Sequence, residues 1–544
     1  MTRISNPILR GFNPDPSILR VGDDFYIATS TFEWFPGVQI HHSRDLVHWQ
    51  LASRPLVRAA QLDMRGNPDG CGVWAPDLSF AHGRFWLIYT DVKRYGTTTV
   101  TGAKGASLRD FPNLVVTSET VEGSWSDAVH LNSSGFDPSL FHDDDGRSWM
   151  LNMLWDHRPG RGRFAGIQAQ ELDRDAMRLM GEPQIIFAGT DLGFTEGPHL
   201  YKRDGFYHLL VAEGGTGWNH AVVMARSRSL LGPYDVHPDR AVLTAGGRTD
   251  APLTRAGHGD LVELPDGTPW LAYLCSRPTP DRARCIMGRE SAIQPMRWGA
   301  DGWLRTLDGD ARPMPTPPAP DLPPCPWPAA RWDGRFTGDT LPREFQWLRS
   351  PRPERLFSLS ARPDALRLHG RETIGSLFEQ SLVARRVEHA RFAATTTLDF
   401  SPRSFQQAAG LTLYYNSTKF YYLAIGAADA GGRELSLMTA SPEGSEAVTL
   451  ETLCPLPQGL IDLHAEMDGG ALRFAWRCHG AEAWTFVGGT LDATILSDEV
   501  TIPGLPNFTG TFVGMACQDL SGAGTPADFL SFRYMGGEEA AAVD

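Results

Sequence analysis

The sequence predicts an all-β protein, a five-bladed β-propeller followed by a jelly-roll β-sandwich. Three observations carry this. A hairpin-like segment recurs five times at a spacing of about 60 residues, helical periodicity is almost absent, and a proline-rich strap separates the repeats from a second series of short β-prone runs.

The repeats are DPSILRVGDDFYIAT from Asp15, APDLSFAHGRFWLIYT from Ala75, DPSLFHDDDGRSWMLNM from Asp137, EGPHLYKRDGFYHLLV from Glu196 and HGDLVELPDGTPWLAYL from His258. Each has a polar start, a short apolar run, a Gly- or Asp-rich turn and an aromatic-rich second run, the pattern of a β-hairpin. The spacing exceeds the roughly 40–45 residues of a WD-type repeat, and five such units imply five blades around a channel. Residues 313–328, PMPTPPAPDLPPCPWP, are too rich in proline for a helix and favour an extended strap. The predicted organisation is a propeller over 1–312, a linker over 313–330 and a β-sandwich over 331–544. The last reads from runs such as RFAATTTLDF, LTLYYN, KFYYLAIG and LRFAWRC.

A chain of 544 residues has ample material for two cores. The formal charge of −14, with no Lys/Arg block, excludes nucleic acid as a partner. No run approaches the ~20 apolar residues of a membrane span, and MTRISNPILRGFNPDPS lacks the apolar core of a secretory signal. The expectation is a cytoplasmic protein. Its seven cysteines are scattered and never spaced C-x-x-C, which predicts reduced thiols rather than disulfides or zinc. Serine-hydrolase, zincin and P-loop signatures are absent.

Aligning the repeats on their second-run aromatics (Tyr26, Trp86, Trp149, Tyr207, Trp270) places Asp15, Ala75, Asp137, Glu196 and His258 at one ring position around the channel. Pro14 and Pro16 leave Asp15 little conformational freedom. A single Asp-Pro usually caps a turn. Three acids at one repeat position point instead to a shared site.

At these residues the chain resembles the β-xylosidases of glycoside hydrolase family 43, in the subgroup carrying a C-terminal β-sandwich. The matching stretches include GFNPDPSILRVGDDFYIATSTFEWFPG, WAPDLS, GFDPSLFHD, TEGPHLY, AEGG, GRES and NFTGTFVGMACQDLSG. The resemblance implies an inverting exo-acting β-1,4-xylosidase that releases xylose from non-reducing ends of xylo-oligosaccharides. The alternatives are an α-L-arabinofuranosidase, alone or as a second activity, and a non-catalytic glycan-binding propeller.

Family roles map onto Asp15 as general base, Glu196 as general acid and Asp137 as the acid that tunes and holds the donor. Inversion needs ~6.5–9.5 Å between base and acid, which blades one and four allow. The charge of Asp137, one blade from Glu196, is expected to raise the pKa of the acid. Phe32, Trp74 and Trp155 are candidate walls for a pyranose ring, whereas Trp34 reads as packing. Arg289 in MGRES resembles the family arginine that reaches the terminal sugar's hydroxyls. Phe508 in NFTG is the candidate that the sandwich lends to the pocket mouth, with Phe512 as fallback. His258 falls near the channel centre, where some family members hold a hydrated calcium; the chemistry itself is expected to be metal-free, with no cofactor required. The resemblance also implies a homo-oligomer, dimer or tetramer.

Overall fold

Each of the five repeats forms a four-stranded antiparallel sheet in the computed structural model, which describes residues 2–95, 107–280, 283–328, 332–444, 446–502 and 506–537. The innermost strands are Ser17–Val21, Gly72–Ala81, Ser139–His142, Glu196–Arg203 and Thr254–Glu263. Second strands such as Arg84–Val92 and Pro269–Ser276 are buried along almost their whole length, because neighbouring blades cover both faces; this is why they read as continuous apolar runs. The ring closes where the Ile18 amide donates to Asp260 Oδ2 of the fifth blade (2.7 Å), and the N-terminal segment pairs with that blade at Leu9 and Ser291.

The register of the blades corrects the ring assignment. Tyr26, Trp86, Trp149 and Trp270 pair with Leu19, Ser79, Phe141 and Val262, each four residues beyond its ring position. In blade four the residue in that place is His208, which pairs with Tyr201, rather than Tyr207. Gly197, not Glu196, is therefore the equivalent of Asp15. Backbone conformation agrees, since Asp15, Ala75, Asp137, Gly197 and His258 all have positive φ (55°, 22°, 53°, 56° and 45°). Glu196 stands one residue earlier, level with Trp74 and Phe136.

The C-terminal region is a sandwich of an eight-stranded and a seven-stranded sheet, whose inner faces meet through residues such as Leu411, Leu413 and Ile425 against Leu463, Phe474 and Phe529. The eight-stranded sheet includes a strand of the propeller. Trp34–Phe35, within blade one, pairs antiparallel with Phe345–Leu348. Trp34 is fully buried and stacks on Phe512 at 3.6 Å, so both rings belong to the contact between the two lobes. A buried polar clamp lies beside them: Arg349 donates to Asp69 Oδ1 (2.7 Å) and to the Asn67 carbonyl (2.8 Å), and its amide bonds the Glu33 carbonyl (2.9 Å).

Candidate active site

A cavity of about 210 Å³ opens at one end of the propeller channel, and Asp15, Asp137, Glu196, His258 and Arg289 all line it. The left-handed backbone at the ring positions, just before the inner strand in blades one and three and within it in the others, falls at Asp15, Asp137 and His258, whereas Glu196 and Arg289 reach the cavity without it. Only Gly197 meets that conformation without a Cβ, and a Cβ there would stand 2.9 Å from His258 Cε1.

Asp15 is held from two sides. Its Oδ1 accepts from Arg289 Nη1 (3.0 Å) and its Oδ2 from Ser30 Oγ (2.7 Å), with His258 Nδ1 at 3.9 Å. Burial pushes its pKa up, but the Arg289 charge, the His258 ring, which is itself protonated only at low pH, and the Ser30 bond outweigh this and leave it below its ordinary value. Glu196 goes the other way. Burial first, then the negative charge of Asp15, raises it to about 8, so it carries a proton at neutral pH. Asp137 accepts from the Gly197 amide (3.1 Å) and is pushed well above the ordinary aspartate range by burial, by Glu196 and by Asp15. Asp15 thus raises both acids, and the two buried neighbours Asp137 and Glu196 oppose each other's ionisation.

Burial also lowers His258 to about 4 despite the nearby Asp15, so its ring is neutral at physiological pH. Calcium takes 6–8 oxygen ligands. The groups beside His258 are Asp15, already engaged by Arg289 and Ser30, and the Gly197 backbone. This donor set could hold a calcium ion only as a hydrated one, with water supplying most of its oxygen ligands. Among the described residues the cluster with metal-ligand spacing is Asp77, His199 and Asp260, two residues further along the inner strands.

Aromatic rings wall the cavity as one packed group. Trp74 meets Phe32 (5.7 Å), Phe136 (5.3 Å), Tyr95 (5.2 Å) and Phe508 (5.5 Å). Phe508 comes from the sandwich, and its carbonyl accepts from Arg289 Nη2 (2.9 Å), so the base and this wall share one guanidinium. The loop is anchored from below: Lys419 Nζ donates to the Ser497 and Val500 carbonyls (2.7 and 2.9 Å) and to Asn507 Oδ1 (2.8 Å).

Phe32, Trp74, His258, Arg289 and Phe508 therefore reach the cavity together with the three acids. Trp155 does not. It ends the second strand of blade three, one strand out from the channel, where its indole donates to the Ser107 carbonyl (3.0 Å) and packs behind Phe136 and Phe164. The sequence reading missed Tyr95, Phe136, Phe164, Phe194, Gly215 and Thr216. Phe136 was within reach, because it precedes Asp137 as Trp74 precedes Ala75. Phe164 opens the third strand of its blade and the others lie on connections, none with a repeat signature.

Residues 4–304 match the family described as glycosyl hydrolases family 43, and residues 334–535 match the β-xylosidase C-terminal concanavalin A-like domain. The chain is 51% identical to a xylosidase/arabinosidase 43B of Humicola insolens, with 98% of each chain covered. It is 45% identical to a β-xylosidase of Bacillus subtilis, covering 98% of this chain and 99% of the relative. Among solved structures it resembles a xylan β-1,4-xylosidase of Bacillus halodurans, with a TM-score of 0.92 and 46% identity over 98% of this chain and 100% of the other.

Proposed function

The chain belongs to glycosyl hydrolase family 43 and is a glycoside hydrolase, and from that premise we propose an inverting exo-acting β-1,4-xylosidase that releases xylose from the non-reducing ends of xylo-oligosaccharides. The observation that carries this reading is the placing of Asp15 and Glu196 on one small cavity, Asp15 bonded to Arg289 and Ser30 and Glu196 buried without a donor among the described residues, which holds the first toward the ionised and the second toward the protonated form. A space of about 210 Å³ lies below the usual range of ligand pockets, ~300–1,000 Å³, and suits one sugar ring rather than a chain segment.

In this mechanism Asp15 takes a proton from a water as its oxygen attacks the anomeric carbon. The bond from that carbon to the glycosidic oxygen breaks, and the leaving oxygen receives the proton of Glu196. Asp137, bonded to the amide next to Glu196, keeps the acid in place. Arg289 holds Asp15 and offers its remaining surface to sugar hydroxyls. No cofactor is required. α-L-Arabinofuranosidase activity is the second reading, supported by the double name of the Humicola relative. We place the protein in the cytoplasm, acting on imported oligosaccharides as a dimer or tetramer; its cysteines are all free thiols, as a reducing compartment would keep them.

Product NMR during xylobiose hydrolysis tests the proposal. First-formed α-xylose is expected. First-formed β-xylose would mean retention and would remove Asp15 from the role of base, and binding without turnover would favour a glycan-binding propeller.

A further inference from the structure

One apolar side chain at the cavity is not accounted for by folding. Phe194 lines the site yet is 55% exposed, and its φ is +54°, a conformation that bulky residues rarely adopt. The segment that carries it is firmly held. Buried Glu213 accepts from the Thr190 amide (2.8 Å), from the Thr190 hydroxyl and from Thr195 Oγ1 (2.9 Å), while the Gly214 amide donates to the Gly193 carbonyl (2.8 Å). The Phe194 ring meets Phe164 edge to face at 5.2 Å. It also lies over Gly215, where a Cβ would stand 3.7 Å from Phe194 Cγ.

Position decides what such a surface is for. Asp15, His258 and Arg289 are buried and mark the closed end of the cavity, whereas exposed Phe194 marks its open end. Glu196, two residues beyond Phe194, delivers its proton to the oxygen that leaves. Whatever rests on Phe194 is therefore attached to that oxygen. A fixed aromatic face there stacks on the apolar face of a second ring.

We propose that Phe194 and Phe164 form a platform for the leaving group, taking the xylose unit on the reducing-end side of the scissile bond, with Glu213 setting its height. This rests on the glycosidase reading above. It assigns the choice between ring-bearing and small leaving groups to these two phenylalanines.

The test compares xylobiose with methyl β-D-xyloside, because both need the proton of Glu196 but only xylobiose brings a second ring. In Phe194→Ala the ratio of kcat/KM for xylobiose to that for the methyl glycoside is expected to fall about tenfold, and Phe194→Trp to restore it. An unchanged ratio, whether both rates fall together or neither falls, overturns the platform. Wild-type protein that hydrolyses neither compound overturns the xylosidase reading itself. Phe194 is largely exposed, and retained turnover of the methyl glycoside reports that the variant has folded.

Discussion

Two layers of the propeller channel, two residues apart on the same inner strands, use the same residue types to opposite effect. The cavity layer holds Asp15, Asp137 and His258, with Glu196 beside them; the layer beneath holds Asp77, His199 and Asp260. In the lower layer every charge is answered. Asp77 accepts from Ser17 Oγ (3.1 Å) and the Leu140 amide (2.9 Å), tying blade two to blades one and three. Asp260 accepts from the Ile18 and Leu261 amides (2.7 and 2.8 Å) and from the Tyr201 hydroxyl. His199 lies 3.4 and 3.6 Å from the two acids, and although burial pushes its pKa down, Asp260 and Asp77 raise it to about 9. An imidazolium thus supplies the cation that this cluster calls for. In the upper layer Asp137 has a single backbone donor, and among the described residues none donates to the Glu196 carboxyl. Glu196 becomes a proton donor here because partners are withheld from it, whereas Asp15 stays ionised because Arg289 and Ser30 answer its charge.

Removing a reagent from the upper layer has the largest effect. Glu196→Gln is expected to lower kcat/KM on xylobiose about 10³-fold and to matter much less on a nitrophenyl xyloside, whose leaving group needs little protonation. Asp15→Asn lowers both alike. Steady-state kinetics on the two substrates separates the roles.

Breaking the lower layer costs stability instead. Asp260→Asn leaves His199 short of a counter-charge and is expected to destabilise the fold by about 3 kcal/mol, with kcat of the folded fraction within about tenfold of wild type. Thermal unfolding beside active-site titration checks this, and a collapse of kcat at unchanged melting temperature would erase the distinction between the layers.

The layers also differ in how they respond to pH. Because Glu196 rises from 4.5 to about 8 on folding, the unfolded chain loses this proton first, and its contribution to stability falls as pH climbs through that window. The Glu196→Gln variant is therefore expected to gain melting temperature over wild type between those values and not below them. His199 contributes stability fully below 6.5 and loses it as pH rises through about 9, in wild type and variant alike. The pH profile of kcat/KM should show an alkaline limb near 8 from Glu196 and an acid limb below the ordinary aspartate value from Asp15.

The smallest expected change is at the wall. Lys419→Met removes three bonds that hold the Phe508 loop and is expected to raise KM about threefold with kcat nearly unchanged.

The five blades, and the acids that line one cavity, were legible in the sequence because repetition is a local signal. Blade four slipped by one because His208 fills the aromatic's place, and side-chain class says nothing about hydrogen-bond register. Trp155 was misplaced for a related reason: a strand end one layer out looks the same in sequence as one at the channel. Phe194 carries no pattern at all. Its meaning comes from Glu213 and Gly215, brought beside it by the turn of a single blade. The lower layer was invisible because its pairs span blades about 60 residues apart or more.

Trp34 and Phe35 belong to a blade by sequence and to the other lobe by hydrogen bonding. A fragment ending at the strap would keep both residues but strip them of their neighbours, leaving an open edge where Leu348 and Phe512 had been and a mould with one side missing. The C-terminal lobe is therefore not a detachable cassette. Its boundary is stitched through the first blade, so the two lobes are expected to melt as one body, and descendants of this chain could remodel either only by recasting the seam.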